Sequence, residues 1–166
     1  MNILVYPHKI LKQKARPVEN IDGKLQKLID QMLDTMYLAK GIGLAANQVG
    51  VLKQLFVMDI TPSGETPEPV TVINPRIIDS YGEEVQDEGC LSVPSYSASI
   101  RRPAGVMLEG YDRDGKPIRM EAEGLMARCI QHELDHLYGI CFVDRLSSLK
   151  KAIFRRKWAK IRQQNG

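Results

Sequence analysis

Apolar residues at positions 25, 28, 29, 32, 33, 36 and 37 keep the i, i+3, i+4, i+7 spacing of one helical face, and predict an amphipathic helix over residues 24–38 with Asp22 as its N-cap. Gly41 and Gly43 end that helix. They open a segment, residues 41–48, that is too apolar for a plain surface loop and too glycine-rich for a helix. Residues 55–60 and 70–73 read as strands on either side of a Pro/Gly/Ser/Glu loop. Residues 106–111 and 118–122 read as a hairpin turning near Asp114-Gly115. Helical spacing returns over residues 125–137, between Gly124 and a stop at Gly139. The final segment, residues 146–161, is helical by propensity, with Leu146, Leu149 and Ile153 on one line and Phe154, Trp158 and Ile161 on a shifted face. Helices and short antiparallel strands are therefore mixed, and the expected fold is a single α+β domain over residues 1–166, packed around the helix at 125–137.

Composition removes whole classes of answer. With 166 residues, 43% hydrophobic and 26% charged, the chain is neither disordered nor fibrous. No apolar stretch approaches the roughly 20 residues of a membrane helix, and the N-terminus lacks a signal peptide's basic region, so a cytoplasmic protein with no membrane partner is expected. Three cysteines, Cys90, Cys129 and Cys141, are expected to be reduced. The net charge of +3 hides an asymmetry. Eight Lys or Arg and no acid follow Asp144, which leaves 15 basic against 20 acidic residues before it, a net of −5. A basic helix over about residues 146–166, cationic nearly all round, is poorly suited to burial and well suited to a polyanion.

The strongest chemical signal is His132-Glu133-Leu134-Asp135-His136. Helical residues four apart share a face, so the two imidazoles can grip one divalent ion, and Glu133 can reach a water there without ligating the ion. Such a pattern also arises by chance on an exposed charged face, and a third ligand must be found. No Glu follows His136, Phe142 stands where a third histidine of the spacing HExxHxxGxxH would be, and Asp144 is the lone downstream oxygen candidate. Attention turns to sulfur. Cys129 shares the helical stripe but lies about 10.5 Å from His136 along the axis at 1.5 Å per residue, and suits a small buried hydrophobe better. Cys141 follows the stop at Gly139 too closely for an easy return. Cys90, behind a glycine that permits close backbone approach, is the best placed of the three.

Gly41-Ile42-Gly43-Leu44-Ala45-Ala46-Asn47-Gln48, Glu88-Gly89-Cys90-Leu91-Ser92 and Gln131-His132-Glu133-Leu134-Asp135-His136 match, in order and spacing, three signature motifs of the peptide deformylase family. The chain resembles its bacterial type 1 group through Tyr6-Pro7, the 113–117 turn, Leu137-Tyr138-Gly139 and the helical tail. The resemblance implies hydrolysis of the N-formyl group from the initiator methionine of nascent peptides, releasing formate. It implies Cys90, His132 and His136 as ligands of one divalent metal, natively Fe(II), replaceable by zinc, nickel or cobalt, with water in the fourth place. Glu133 would be the general base, and the Gln48 amide and Leu91 N–H the oxyanion donors. Ile42, Gly43, Leu44 and Gly89 would contact the peptide, Leu125 and Cys129 would line the methionine pocket, and Arg102 would brace Glu88 behind Cys90. The tail helix would dock on the ribosome near the exit of the nascent chain.

The chain departs from the family pattern at Gln86 and Arg128, where apolar residues often stand beside the pocket, and at Ser97, where an Arg often stands at the peptide-access loop. Those positions leave the strictness of methionine preference open. Two rival readings are a cytosolic HExxH metallopeptidase and a ribosome- or RNA-binding module with a structural metal.

Overall fold

A computed structural model describes residues 1–165, so Gly166 of the predicted tail lies outside the described residues. The first predicted helix is α1 (Gly23–Leu38), capped by the Asp22 carboxylate, which accepts from the Leu25 N–H at 2.9 Å. Strands β1 (Gly43–Ala45), β2 (Leu55–Met58), β3 (Val70–Tyr81), β6 (Gly105–Tyr111) and β7 (Pro117–Glu123) form one antiparallel sheet in the order β1-β2-β3-β6-β7. Strands β4 (Glu84–Cys90) and β5 (Val93–Arg102) pair, among the described residues, with each other alone. Helices α2 (Gly124–Leu137) and α3 (Ser148–Asn165) complete the α+β fold.

Three boundaries differ from expectation, each for a local reason. The strand predicted at 55–60 stops at Met58, because the Asp59 carboxylate turns to accept from the N–H groups of Thr61 and Glu68, at 2.9 and 3.1 Å. The strand predicted at 70–73 runs on to Tyr81 through an irregularity at Asn74-Pro75, where Asn74 takes φ 51° and the pairing with β6 shifts. The last helix begins at Ser148, since Leu146 ends a 3₁₀ turn over Phe142–Arg145.

Helices cover both faces of the large sheet. Leu25, Ile29, Met32 and Met36 of α1 pack on Leu44, Leu55, Val57 and Ile73, while Ala127, Ile130 and Leu137 of α2 pack on Phe56, Met58, Val72 and Leu108. All four residues of β2 are therefore buried, two in each layer. A third apolar cluster joins the β4–β5 hairpin to the tail. This corrects the expectation that the tail resists burial. Phe154 and Trp158, one turn apart, are only 3% and 6% exposed, and the Trp158 indole donates to the Tyr6 carbonyl at 3.2 Å. Tyr6 and Tyr96 meet the Phe154 ring edge-on or tilted, at 5.6 and 4.8 Å. The cations stay outside with Leu149.

Candidate metal centre

The HExxH residues lie at the C-terminal end of α2, with His136 in its last turn. His132 and His136 bring their Nε2 atoms to 3.2 Å, and the Cys90 sulfur lies 3.3 Å from Nε2 of His136. All three ligand atoms fall within 4.8 Å of one another, the one such cluster among the described residues. His8 sits elsewhere, its Nδ1 accepting from Ile10 N–H at the start of a 3₁₀ turn. Cys129 turns its thiol to the Ile42 carbonyl, at 3.7 Å, and is not one of the three. Cys141 comes closer than its place in the sequence suggests: it is buried in the same apolar cluster as Cys90, and its thiol, together with burial, pushes the Cys90 thiol well above its ordinary pKa.

A buried charge network holds the imidazoles. Glu88 Oε1 contacts His132 Nδ1 at 2.9 Å, and the same carboxylate takes Arg102 Nε at 2.5 Å and Nη2 at 2.9 Å. Burial alone would raise the Glu88 carboxyl, but hydrogen bonds from Arg102 and His132 hold it down to about 2. Burial alone would lower His132, but the hydrogen bond to Glu88 raises it; an ionised carboxylate can only accept, so Nδ1 carries a hydrogen and Nε2 is the nitrogen turned to the cluster. Burial pushes His136 well below its ordinary value and keeps it neutral. One thiol sulfur and two such imidazoles suit a borderline divalent cation. Oε2 of Glu133 is buried without a partner among the described residues, as fits a carboxylate meant for water at such a centre. Burial pushes that carboxyl up to about 7.

The first glycine-rich segment supplies the opposite wall. Gln48 Oε1 accepts from Ala45 N–H at 2.9 Å, which turns Nε2 toward Ser92 Oγ at 3.0 Å and Cys90 Sγ at 3.5 Å. Residues 4 and 6 stitch the two motifs together, Leu4 N–H donating to Gln48 O and Tyr6 N–H to Ser92 O. The Leu91 side chain covers Gly41, where an added Cβ would come within 2.6 Å of it. At Gly43 a Cβ would stand 2.9 Å from both Cys129 Sγ and the Glu133 carboxylate, so the strand can pass the acid only without a side chain.

These walls enclose a cavity of about 660 Å³ whose lining includes Ile42, Gly43, Gly89, Leu91, Leu125 and Cys129, with Gln48, His132 and Glu133 at its polar end. Leu44 does not line it. Its side chain takes the other face of β1 and is fully buried against α1, so the expected wall residue is corrected to a core residue. Gln86 is exposed and turns to Glu84, so it does not shape the pocket either. Ser97 stands in the lining with Lys40 and Asp87. Sequence reasoning passed over Ser92, two residues after the thiol. It also missed Asp135, which receives Arg102 at 2.9 Å and Arg145 at 2.6 and 2.7 Å. Asp135 stands at i+3 from His132, a spacing that would have flagged it.

Comparison with known proteins gives a consistent answer. The sequence profile of the family described as polypeptide deformylase matches residues 1–152. A peptide deformylase of Thermodesulfovibrio yellowstonii is 50% identical over 158 residues, covering 95% of this chain and 96% of that protein. One from Rhizobium meliloti is 47% identical over 165 residues, covering 99% and 95%. The crystal structure of a peptide deformylase from Legionella pneumophila superposes with a TM-score of 0.92 at 45% identity, covering 99% of this chain and 96% of that one.

Proposed function

The chain belongs to the polypeptide deformylase family, metal-dependent hydrolases that remove the N-formyl group from nascent polypeptides, and we propose that Cys90, His132 and His136 hold its metal, with Glu133 as general base and Gln48 and the Leu91 N–H as oxyanion donors. The convergence of one sulfur and two Nε2 atoms at 3.2–3.3 Å, beside a buried carboxylate, carries this reading. When bound, a divalent cation supplies Lewis acidity and acidifies water. Glu133 accepts the proton of the attacking water and returns it to the leaving amine as the C–N bond breaks, so formate and a free amine depart. The Gln48 amide, locked by Ala45 and Ser92, donates to the oxygen that gains charge on the formyl carbon, and Leu91 N–H donates beside it. Glu88 keeps His132 oriented, braced by Arg102. Leu125, Cys129 and Ile42 offer an apolar wall for the methionine side chain, and Gly43 and Gly89 leave room for peptide backbone.

Fe(II) is the resident ion of this reading, with zinc, nickel or cobalt as substitutes, since the donor set suits all four. The chain acts as one domain in the cytoplasm; no helix among the described residues is long and apolar enough to cross a membrane. Its basic tail meets the ribosome near the nascent-chain exit through the outward cations of α3. The metallopeptidase and RNA-binding alternatives gain nothing from the comparisons. Formate release from formyl-Met-Ala-Ser, against the acetylated peptide, tests the assignment. Only the formyl substrate should turn over, and Glu133→Gln should lower kcat by roughly 10²–10⁴-fold with metal content retained. Equal turnover of the acetyl peptide, or an active Glu133→Gln variant, would overturn it.

A further inference from the structure

We propose that Arg128 is a positioning residue for the metal centre, clamping the hairpin that carries Cys90 to the helix that carries the two imidazoles. The proposal rests on the reading of Cys90, His132 and His136 as ligands. Their relative placement is a problem of its own, because the β4–β5 hairpin shares no strand pairing with the five-stranded sheet. The Arg102–Glu88 pair lies within the hairpin, and Arg102 ties it to α2 at Asp135, at 2.9 Å; Arg128 adds a second tie from the helix side, about two turns earlier. Arg128 stands on α2, one turn before His132, and is 8% exposed. Among the described residues its guanidinium reaches hairpin acceptors alone: Nη1 donates to Glu88 Oε2 at 2.5 Å and to Ile100 O at 3.0 Å, and Nη2 donates to Glu84 O at 3.0 Å.

Three acceptors on two strands are thus gripped by one rigid fork, which an ammonium cannot reproduce. The central acceptor is the carboxylate that holds His132 Nδ1, so the grip passes to a ligand through one residue. This also bears on the methionine preference that an arginine beside the pocket left open. The residue lines the cavity, but its charge is paired with Glu88. A chain with an aliphatic residue at this position would keep the wall and lose the clamp.

Cobalt-loaded protein tests the idea. Arg128→Met keeps the stem and removes all three hydrogen bonds; it should release Co(II) to a chelator about 10–100-fold faster than the parent and shift the visible Co(II) bands. Arg128→Lys, which retains the charge but not the fork, should fall between the two. A lowered Tm with unchanged release rate and spectrum in Arg128→Met would mark a merely structural residue and overturn the proposal. A change confined to KM would overturn it in favour of substrate contact. If Arg128→Met does not fold, the lysine variant decides: release and bands identical to the parent's reject the clamp. Failure of the parent chain itself to take up Co(II) would sink the ligand assignment, and the clamp with it.

Discussion

At Gly43 the site has room for a hydrogen and nothing larger. A methyl group there would meet the Glu133 carboxylate and the Cys129 sulfur at 2.9 Å, and the acid is the group least free to yield. Gly43→Ala should therefore lower kcat by roughly 10²-fold, the cost typical of a misplacement near 1 Å, while metal content stays the same; formate release and metal analysis on one preparation check both. Gln48→Ala removes one oxyanion donor and should lower kcat by about 10²–10³-fold in the same assay. Single residues were unevenly legible. His132, Glu133 and His136 could be read together because one helix carries them at a fixed spacing. Cys90 needed elimination, since nothing local says that a strand will cross the helix. Leu44 misled, because adjacency to Gly43 does not say which face of a strand a side chain takes. The direction of the Arg128 guanidinium is a tertiary fact, set by acceptors 28 to 44 residues away.

Between elements, polar pins matter as much as apolar contact. Tyr37, near the end of α1, donates to Asp59 Oδ2 at 2.6 Å, and Asp59 N–H donates to Ile42 O at 2.8 Å, which together hold the glycine-rich segment beside β2. Burial alone would raise the Asp59 carboxyl, but hydrogen bonds from Thr61, Tyr37 and Glu68 hold it below its ordinary value; burial and Asp59 push Tyr37 up to about 12. A carboxyl whose pKa is lower folded than unfolded stabilises above the unfolded value of about 4, and loses that contribution as pH falls through the folded one. Asp59→Asn should weaken the fold at neutral pH and flatten the acid side of its stability curve, measured by denaturant titrations between pH 2 and 7. Trp158→Ala, which empties the socket beneath α3, should cost about 3–5 kcal/mol in the same titrations. The helices were legible from spacing; β5, with three serines among ten residues, and the far half of β3, beyond Asn74-Pro75, were not, because each gains its strand character from its partner.

Across the whole molecule, charge and apolar surface are sorted in opposite directions along the tail. Its aromatics face the hairpin cluster and its cations face outward, so a helix that looked wholly solvated is anchored by one stripe and offers the rest. Ribosome binding by the full chain should weaken linearly in log Kd against log salt as counterions are released; binding that ignores salt would exclude the tail as the contact. The class of the fold was legible, but the division into a helix-covered sheet and a separate hairpin was not, since strand order is decided by long-range pairing. That order turns on β2. Leu55, Phe56, Val57 and Met58 are all apolar and all buried, so sliding the strand by one position would trade the contents of its two layers at little cost in hydrophobic burial. Greasiness cannot police such a slip. The guard must come from the strand's ends, where the Gln54 carbonyl accepts from Asn74 N–H and the buried Asp59 carboxylate from Tyr37, and a shift by a single step would break both bonds.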